Sequence, residues 1–308
     1  MNAALRQQMK GNALMMLASI IWGFAFVAQR FGAEFIDPFS FNAVRFAMGV
    51  GVLLIAIFTL STIRKVPWQR RWKLWRQVLG PGLVLGLILA IAVGLQQAAM
   101  STVEASKAAF ITGFYMVLVP IVLVFRGQRF KWQTVLGVAL GFVGLYLVAV
   151  KGDFSIGEGD LLLIATNIFW TAHILVVDHY APKVSALRLS TMQFTVTAIV
   201  SAIVAPFVDP HPFTGMDQAI WAVLYAGFIS VGVAYTLQVV GQRYTLPTPA
   251  GLILCTEALW GAVGGALILH ELMDVRFYVG AALMLAGLVV SQLGVSPKPL
   301  PVTNVIET

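Results

Sequence analysis

Along this chain apolar residues run in ten long blocks, while the charged residues gather in the short stretches between them. A helix needs about 20 mainly apolar residues to cross the hydrocarbon core of a bilayer, and only a helix or a closed barrel satisfies its own backbone polar groups there. The blocks lie at 12–33, 40–61, 78–100, 105–125, 132–150, 161–180, 187–208, 219–242, 248–270 and 275–293, and each is long enough to cross. They predict an all-α integral membrane protein with ten transmembrane helices.

The second five blocks echo the first five. A shift of 148 residues pairs Ile20 with Ile168, Trp22 with Trp170, Arg45 with Gln193 and Phe46 with Phe194. A shift of 142 pairs Leu95 with Leu237, Gln96 with Gln238 and Ala108 with Ala250, and one of 143 pairs Gly137 with Gly280, Ala139 with Ala282 and Gly144 with Gly287. Apolar helices share composition, so coincident Leu, Ala and Gly carry little weight. Paired tryptophans and paired intramembrane glutamines carry the duplication. The division it predicts is a short segment at 1–11, a first repeat at 12–150, a second at 151–295 and a tail at 296–308. Five spans is an odd number, so the second repeat enters the membrane in the opposite sense. Inverted repeats give one architecture two related shapes around a site near the midplane, the basis of alternating access.

Composition agrees. Hydrophobic residues make up 59% of the 308, charged residues 11%, and the mean hydropathy is +0.87, which excludes a water-soluble fold. The side bearing both termini gathers most of the Lys and Arg, from Arg6 and Lys10 through Arg64, Lys65, Arg70, Arg71, Lys73 and Arg76 to Lys298; the other side receives Arg30, Lys151 and Arg276. That bias predicts cytoplasmic termini. The tract around Trp68, Trp72 and Trp75 resembles a nucleic-acid patch in isolation, yet beside a span it reads as an interface anchor, so no nucleic-acid partner is expected. No small-residue cleavage site follows the first block, which reads as a retained helix. The single cysteine, Cys255, excludes an intrachain disulfide. His270, Glu271 and Asp274 cluster at a span end, which reads as a solvated turn; no metal and no cofactor are expected.

The segment from Ala108 to Pro120, and the run from Glu257 and Trp260 through His270 and Glu271 to Gly280, Ala286 and Gly287, resemble the drug/metabolite transporter superfamily, in its EamA-like branch. The resemblance covers about residues 10 to 295. It implies a multi-pass inner-membrane carrier, an exporter of small molecules, with spans one to four and six to nine around a central cavity and spans five and ten outside. The family commonly carries proline after the glutamate matching Glu257. This chain has Ala258, which predicts no proline-shaped distortion there.

Charges inside spans are costly and mark functional candidates. Arg45 can attract a substrate carboxylate, or pair with Glu34 or Asp37. Glu257, deep in span nine, is a proton-coupling candidate, with a structural hydrogen bond as the alternative. Arg30 and Asp178 are repeat equivalents at opposite faces and, with Lys107, are gating candidates; Lys107 also has the alternative of pairing with Glu104. Gln96, Gln97 and Gln238, with Trp22, Tyr115, Trp170, Tyr235 and Trp260, are candidates for an amphipathic substrate pocket; Asn42, Phe110, Thr112, Asn167, His173 and Gln193 add polar and aromatic groups. Gly137 with Gly141, Gly261 with Gly265, and Ala282 with Ala286 allow close helix approach. Pro81, Pro120, Pro247 and Pro249 can supply bends.

No phosphate-binding Gly-rich motif with a lysine is present, which excludes ATP-driven work. The leading reading is a secondary transporter of small metabolites, amino acids or drug-like compounds, coupled to a proton or an exchanged solute. A membrane-embedded enzyme would need a converging catalytic set, and only scattered ionisable groups are visible; a channel is the remaining alternative.

Overall fold

The computed structural model describes residues 3–149, 156–269, 274–293 and Lys298, and all the regular structure among them is helical. Helix α1, Ala3–Gly32, turns into α2, Pro38–Ile63, through Asp37, whose Oδ1 accepts from the backbone of Phe39 and Ser40 at 2.9 Å. That cap and the proline at the first turn fix where α2 begins. Helix α3, Trp68–Ala99, starts ahead of its apolar block, so the basic tryptophan-rich tract is itself helical. Arg71 ties its start back by donating to the carbonyls of Val66 and Ser61, both at 2.9 Å.

The fourth block forms two helices, α4 (Ala105–Thr112) and α5 (Tyr115–Phe125); α6 (Trp132–Ala149), α7 (Glu158–Tyr180) and α8 (Ala186–Val208) follow. The eighth block is composite: α9, Ile220–Leu224, passes into a π-helical stretch, Tyr225–Tyr235, and then α10, Thr236–Gln242. The ninth is again split, into α11 (Pro247–Cys255) and α12 (Glu257–Leu269), and α13, Val275–Leu293, ends the described bundle. Eight of these stretches are long and apolar enough to cross a membrane, and α6 is a shorter apolar helix. The α11–α12 pair accounts for the remaining block, so all ten appear as helical segments.

Helix α2 packs on α8, α3 lies against α7 and α8, and α1 runs beside α10, α11 and α12. The apolar core fills the space between, around Phe46, Leu89, Val93, Leu163 and Phe194. Large apolar side chains on the outer faces stay exposed, among them Ile55, Phe58, Phe125 and Phe207. On a water-facing protein such a surface would drive aggregation, whereas hydrocarbon accepts it.

Helices α6 and α13 pack chiefly on each other. Their contact is reciprocal: a Cβ on Gly137 would strike the carbonyl oxygen of Gly287 and one on Gly287 that of Gly137, while Gly144 and Gly280 stand in the same mutual relation. Residues 137 and 280, and likewise 144 and 287, stand 143 apart in the chain, so the two contacts mirror one another. Gly137 and Gly141 both lie against Gly287, the backbone-to-backbone approach that their spacing predicts.

Gly144→Ala should therefore destabilise the protein by about 1–3 kcal/mol, because its methyl presses on the Gly280 carbonyl and the Met284 backbone, which cannot swing aside. A lowered melting temperature of the purified protein in detergent, with helix content unchanged, is the expected result.

Candidate functional site

The site begins at the two broken spans. Between α4 and α5 the chain turns at Gly113 and Phe114; between α11 and α12 it turns at Thr256. A break exposes carbonyls that hydrocarbon cannot satisfy. The Ile111 carbonyl accepts from the Asn167 side chain at 2.7 Å as well as from the Phe114 backbone at 3.2 Å. The Ile253 carbonyl accepts from the Thr256 hydroxyl at 2.7 Å and the Thr256 backbone at 3.1 Å, and Ser19 holds the same hydroxyl at 2.7 Å. The span thus breaks immediately before Glu257 although Ala258 stands where proline is common. The threonine hydroxyl, competing for the backbone, accompanies the interruption without proline.

Each break delivers one polar side chain to the bundle centre, Tyr115 at the start of α5 and Glu257 at the start of α12. Tyr115 Oη donates to Glu257 Oε1 at 3.3 Å. The two residues lie one repeat interval apart, as do Gly113 and Cys255, whose sulfur sits 3.7 Å from the Gly113 carbonyl oxygen.

Around this pair lies a cavity lined also by Trp22, Phe26, Gln29, Arg45, Gln96, Thr112, Trp170, Ile174, Ser230, Tyr235, Gln238 and Leu254. Its volume is about 30 Å³, room for about two waters. Arg45 is 2% exposed, yet no carboxylate among the described residues lies within 4.0 Å of it. Its Nε donates to Asn42 Oδ1 at 2.8 Å, Asn42 is held by the Val93 carbonyl at 3.1 Å, and the guanidinium lies 5.4 and 5.1 Å from the rings of Phe41 and Phe46. Such cation–π contacts offset part of the desolvation cost. Trp170 Nε1 donates to Gln96 Oε1 at 2.9 Å, and Tyr235 packs edge-on to Trp22 at 4.6 Å. Trp22 Nε1, Gln29 Oε1, Thr112 Oγ1 and Gln238 Oε1 are buried and find no partner among the described residues. Native interiors seldom leave such groups unpaired, so together they give the cavity capacity for a polar guest.

Seven of the nine pocket candidates, Trp22, Arg45, Gln96, Tyr115, Trp170, Tyr235 and Gln238, converge here with Glu257. Gln97 and Trp260 stand elsewhere: Gln97 donates to the Gln29 carbonyl at 3.1 Å, joining α3 to α1, and Trp260 packs on Gly23. Arg30 donates to the Met100 carbonyl at 2.8 Å, Lys107 to Asp160 Oδ2 at 2.7 Å, and Asp178 pairs with Lys298, so each gating candidate joins separate elements. Lys107 therefore reaches an acid on α7 rather than relying on its own helix. Asn167 ties down a broken end, and His173 bonds Gln193 at 2.9 Å beside the cavity. Among the described residues no three His, Cys, Asp or Glu side chains converge as a metal would require; His270 and Glu271 lie outside the described residues.

Five cavity residues escaped the sequence reading: Phe26, Gln29, Ile174, Ser230 and Leu254. Gln29 and Ser230 carried a signal, as polar residues within apolar blocks. The other three did not, because nothing in an apolar side chain tells a cavity wall from a packed core.

The chain belongs to the EamA-like transporter family, whose sequence model matches it twice, over residues 9–150 and 157–292. It is a membrane transporter. An uncharacterized transporter of Archaeoglobus fulgidus is 29% identical over 281 residues, 91% of this chain and 84% of that one. A protein of Escherichia coli named as a probable amino-acid metabolite efflux pump is 24% identical over 307 residues, covering 92% of this chain and 95% of its own. A solved crystal structure shares the fold with a TM-score of 0.72 over 92% of this chain and 96% of that one, at 18% identity.

Tyr115→Phe removes the one side-chain donor to Glu257 among the described residues and should cost about 1–3 kcal/mol of stability. Melting of the purified variant against the parent measures it, and Glu257→Gln, which keeps an acceptor for Tyr115, should cost less.

Proposed function

We propose that this protein is a secondary carrier that exports small zwitterionic metabolites, amino acids foremost, from the cytoplasm across the inner membrane by alternating access. The observation that carries the reading is the central cavity, where an arginine with no carboxylate within 4.0 Å among the described residues and a buried glutamate border one space with tryptophans and amide oxygens that find no partner among those residues. Arg45 suits a substrate carboxylate, Gln96 and Gln238 its polar flanks, and Trp22, Trp170 and Tyr235 its apolar portion. The name of the Escherichia coli relative points to the same solute class.

A cavity of about 30 Å³ admits no organic solute, so binding requires the helices to part. Two inverted repeats, 12–150 and 151–295, supply the two openings in this reading. Its support lies in contacts between residues one repeat interval apart: Phe46 faces Phe194 at 5.7 Å, Tyr115 bonds Glu257, and the glycines of α6 and α13 meet reciprocally. A two-fold axis makes equivalent residues meet on it and turns every off-axis contact into a pair. The ties from Arg30, Lys107 and Asp178 serve as gates at the two faces. Both termini lie in the cytoplasm, with the Lys- and Arg-rich loops.

Glu257 carries the coupling proton. Neutral, it can leave Tyr115 and let α5 separate from α12; ionised, it faces Arg45 across the cavity and competes for a substrate ammonium. Accumulation of amino acids in inside-out proteoliposomes should therefore respond to an imposed proton gradient. Glu257→Gln should retain counterflow but lose the pH dependence of its rate, and an undiminished pH profile in a well-folded variant removes the residue from this role.

Gln96→Ala and Gln238→Ala should each weaken solute affinity about tenfold, the effect of one buried hydrogen bond lost together with the partner left unpaired. Saturable counterflow under varied solute concentration measures it, and linear, unsaturable flux would point to a channel instead.

A further inference from the structure

A second space lies on the other flank of α1. Trp22, Phe26 and Gln29 face the central cavity, whereas Phe24, Val27, Ala28 and Phe31 face a lateral cleft of about 530 Å³, closed by Ala105 at the start of α4 and by Trp221, Ala222 and Tyr225. The small side chains of Ala28, Ala105 and Ala222 leave this room. Its walls belong to spans apolar enough to cross the membrane, so it opens onto hydrocarbon, where an acyl chain is the abundant molecule of matching shape and polarity.

At the mouth the polarity changes. Arg30 and Glu34 border the cleft at the C-terminal end of α1, with Trp221 78% exposed beside it. They stand four residues apart in the chain, Arg30 in the last turn of α1 and Glu34 in the turn that follows it. Neither lies within 4.0 Å of an opposite charge among the described residues. Arg30 spends Nη1 on the Met100 carbonyl at 2.8 Å, and a guanidinium keeps further donors. A cation in the last helical turn and an anion just beyond it, beside an apolar slot, complement a zwitterionic head group that carries phosphate and ammonium over an acyl chain.

We propose that this cleft is a phospholipid site in the leaflet at the C-terminal end of α1, selective for a zwitterionic lipid with a primary ammonium: one acyl chain lies between α1, α4 and α9, Arg30 binds the phosphate and Glu34 the ammonium. Selectivity follows from Glu34, since a primary ammonium donates hydrogen bonds and a quaternary one has none to give. The site is separate from the central cavity and stands whatever solute the protein carries.

Native mass spectrometry of the full chain, released from vesicles of equal parts phosphatidylethanolamine, phosphatidylcholine and phosphatidylglycerol, tests it. One phosphatidylethanolamine should remain bound, favoured about tenfold over phosphatidylcholine, the discrimination of a charge-assisted hydrogen bond. Glu34→Gln, an exposed change that leaves the fold intact, should level that preference, and Val27→Trp, which fills the slot, should lose the lipid altogether. Equal retention of the two zwitterionic lipids by the parent, preference for phosphatidylglycerol, or a preference that survives Glu34→Gln overturns the assignment. So does full lipid retention by Val27→Trp.

Discussion

In a bilayer every backbone carbonyl needs a partner from the protein, and this structure is organised around the two places where helices give theirs up. Spans four and nine break near the centre of the bundle, at Gly113–Phe114 and at Thr256. Asn167 repairs the first break from α7, and Thr256 with Ser19 repairs the second from within and from α1. These repairs do more than hold the breaks. They lock the first spans of the two halves onto the broken ends, which sets where Tyr115 and Glu257 enter the cavity.

Burial then governs the chemistry. A guanidinium without a carboxylate partner is expensive to remove from water, and Arg45 is held by one amide, two aromatic faces and the cavity itself. Glu257 has one phenolic donor, and four neighbouring polar atoms have no partner among the described residues. Polar groups left incompletely satisfied in a low-dielectric interior respond strongly to any guest that completes them. The small volume of the space makes that response conformational, because a guest larger than water enters only as the walls move apart.

Interruption and irregularity gather around the cavity. The π-helical stretch Tyr225–Tyr235 brings Ser230 and Tyr235 to the lining, whereas the corresponding part of α3 is an unbroken α-helix. Wide π turns tend to appear at functional sites, and among the described residues the π-helical stretch and the two breaks border the same cavity.

The apolar blocks determined the ten helical segments, because hydrocarbon leaves a chain of this hydropathy few alternatives, and the rarity of Trp and Gln inside spans pointed to Trp22, Gln96, Trp170 and Gln238 of the cavity lining. Gln97 shows the limit of that reasoning. It is as polar and as deep as Gln96, yet one step around the helix turns it 100° toward α1 and a backbone carbonyl. Lys107 likewise had an acid at helical spacing, and packing brought Asp160 to it from another element. The break before Glu257 was hidden because a threonine replaces the expected proline signal with a hydroxyl whose effect depends on what Ser19 does. Local polarity and periodicity say which residues belong in a membrane and which are costly there; only the packed helices decide which costly groups meet one another and which face a shared space.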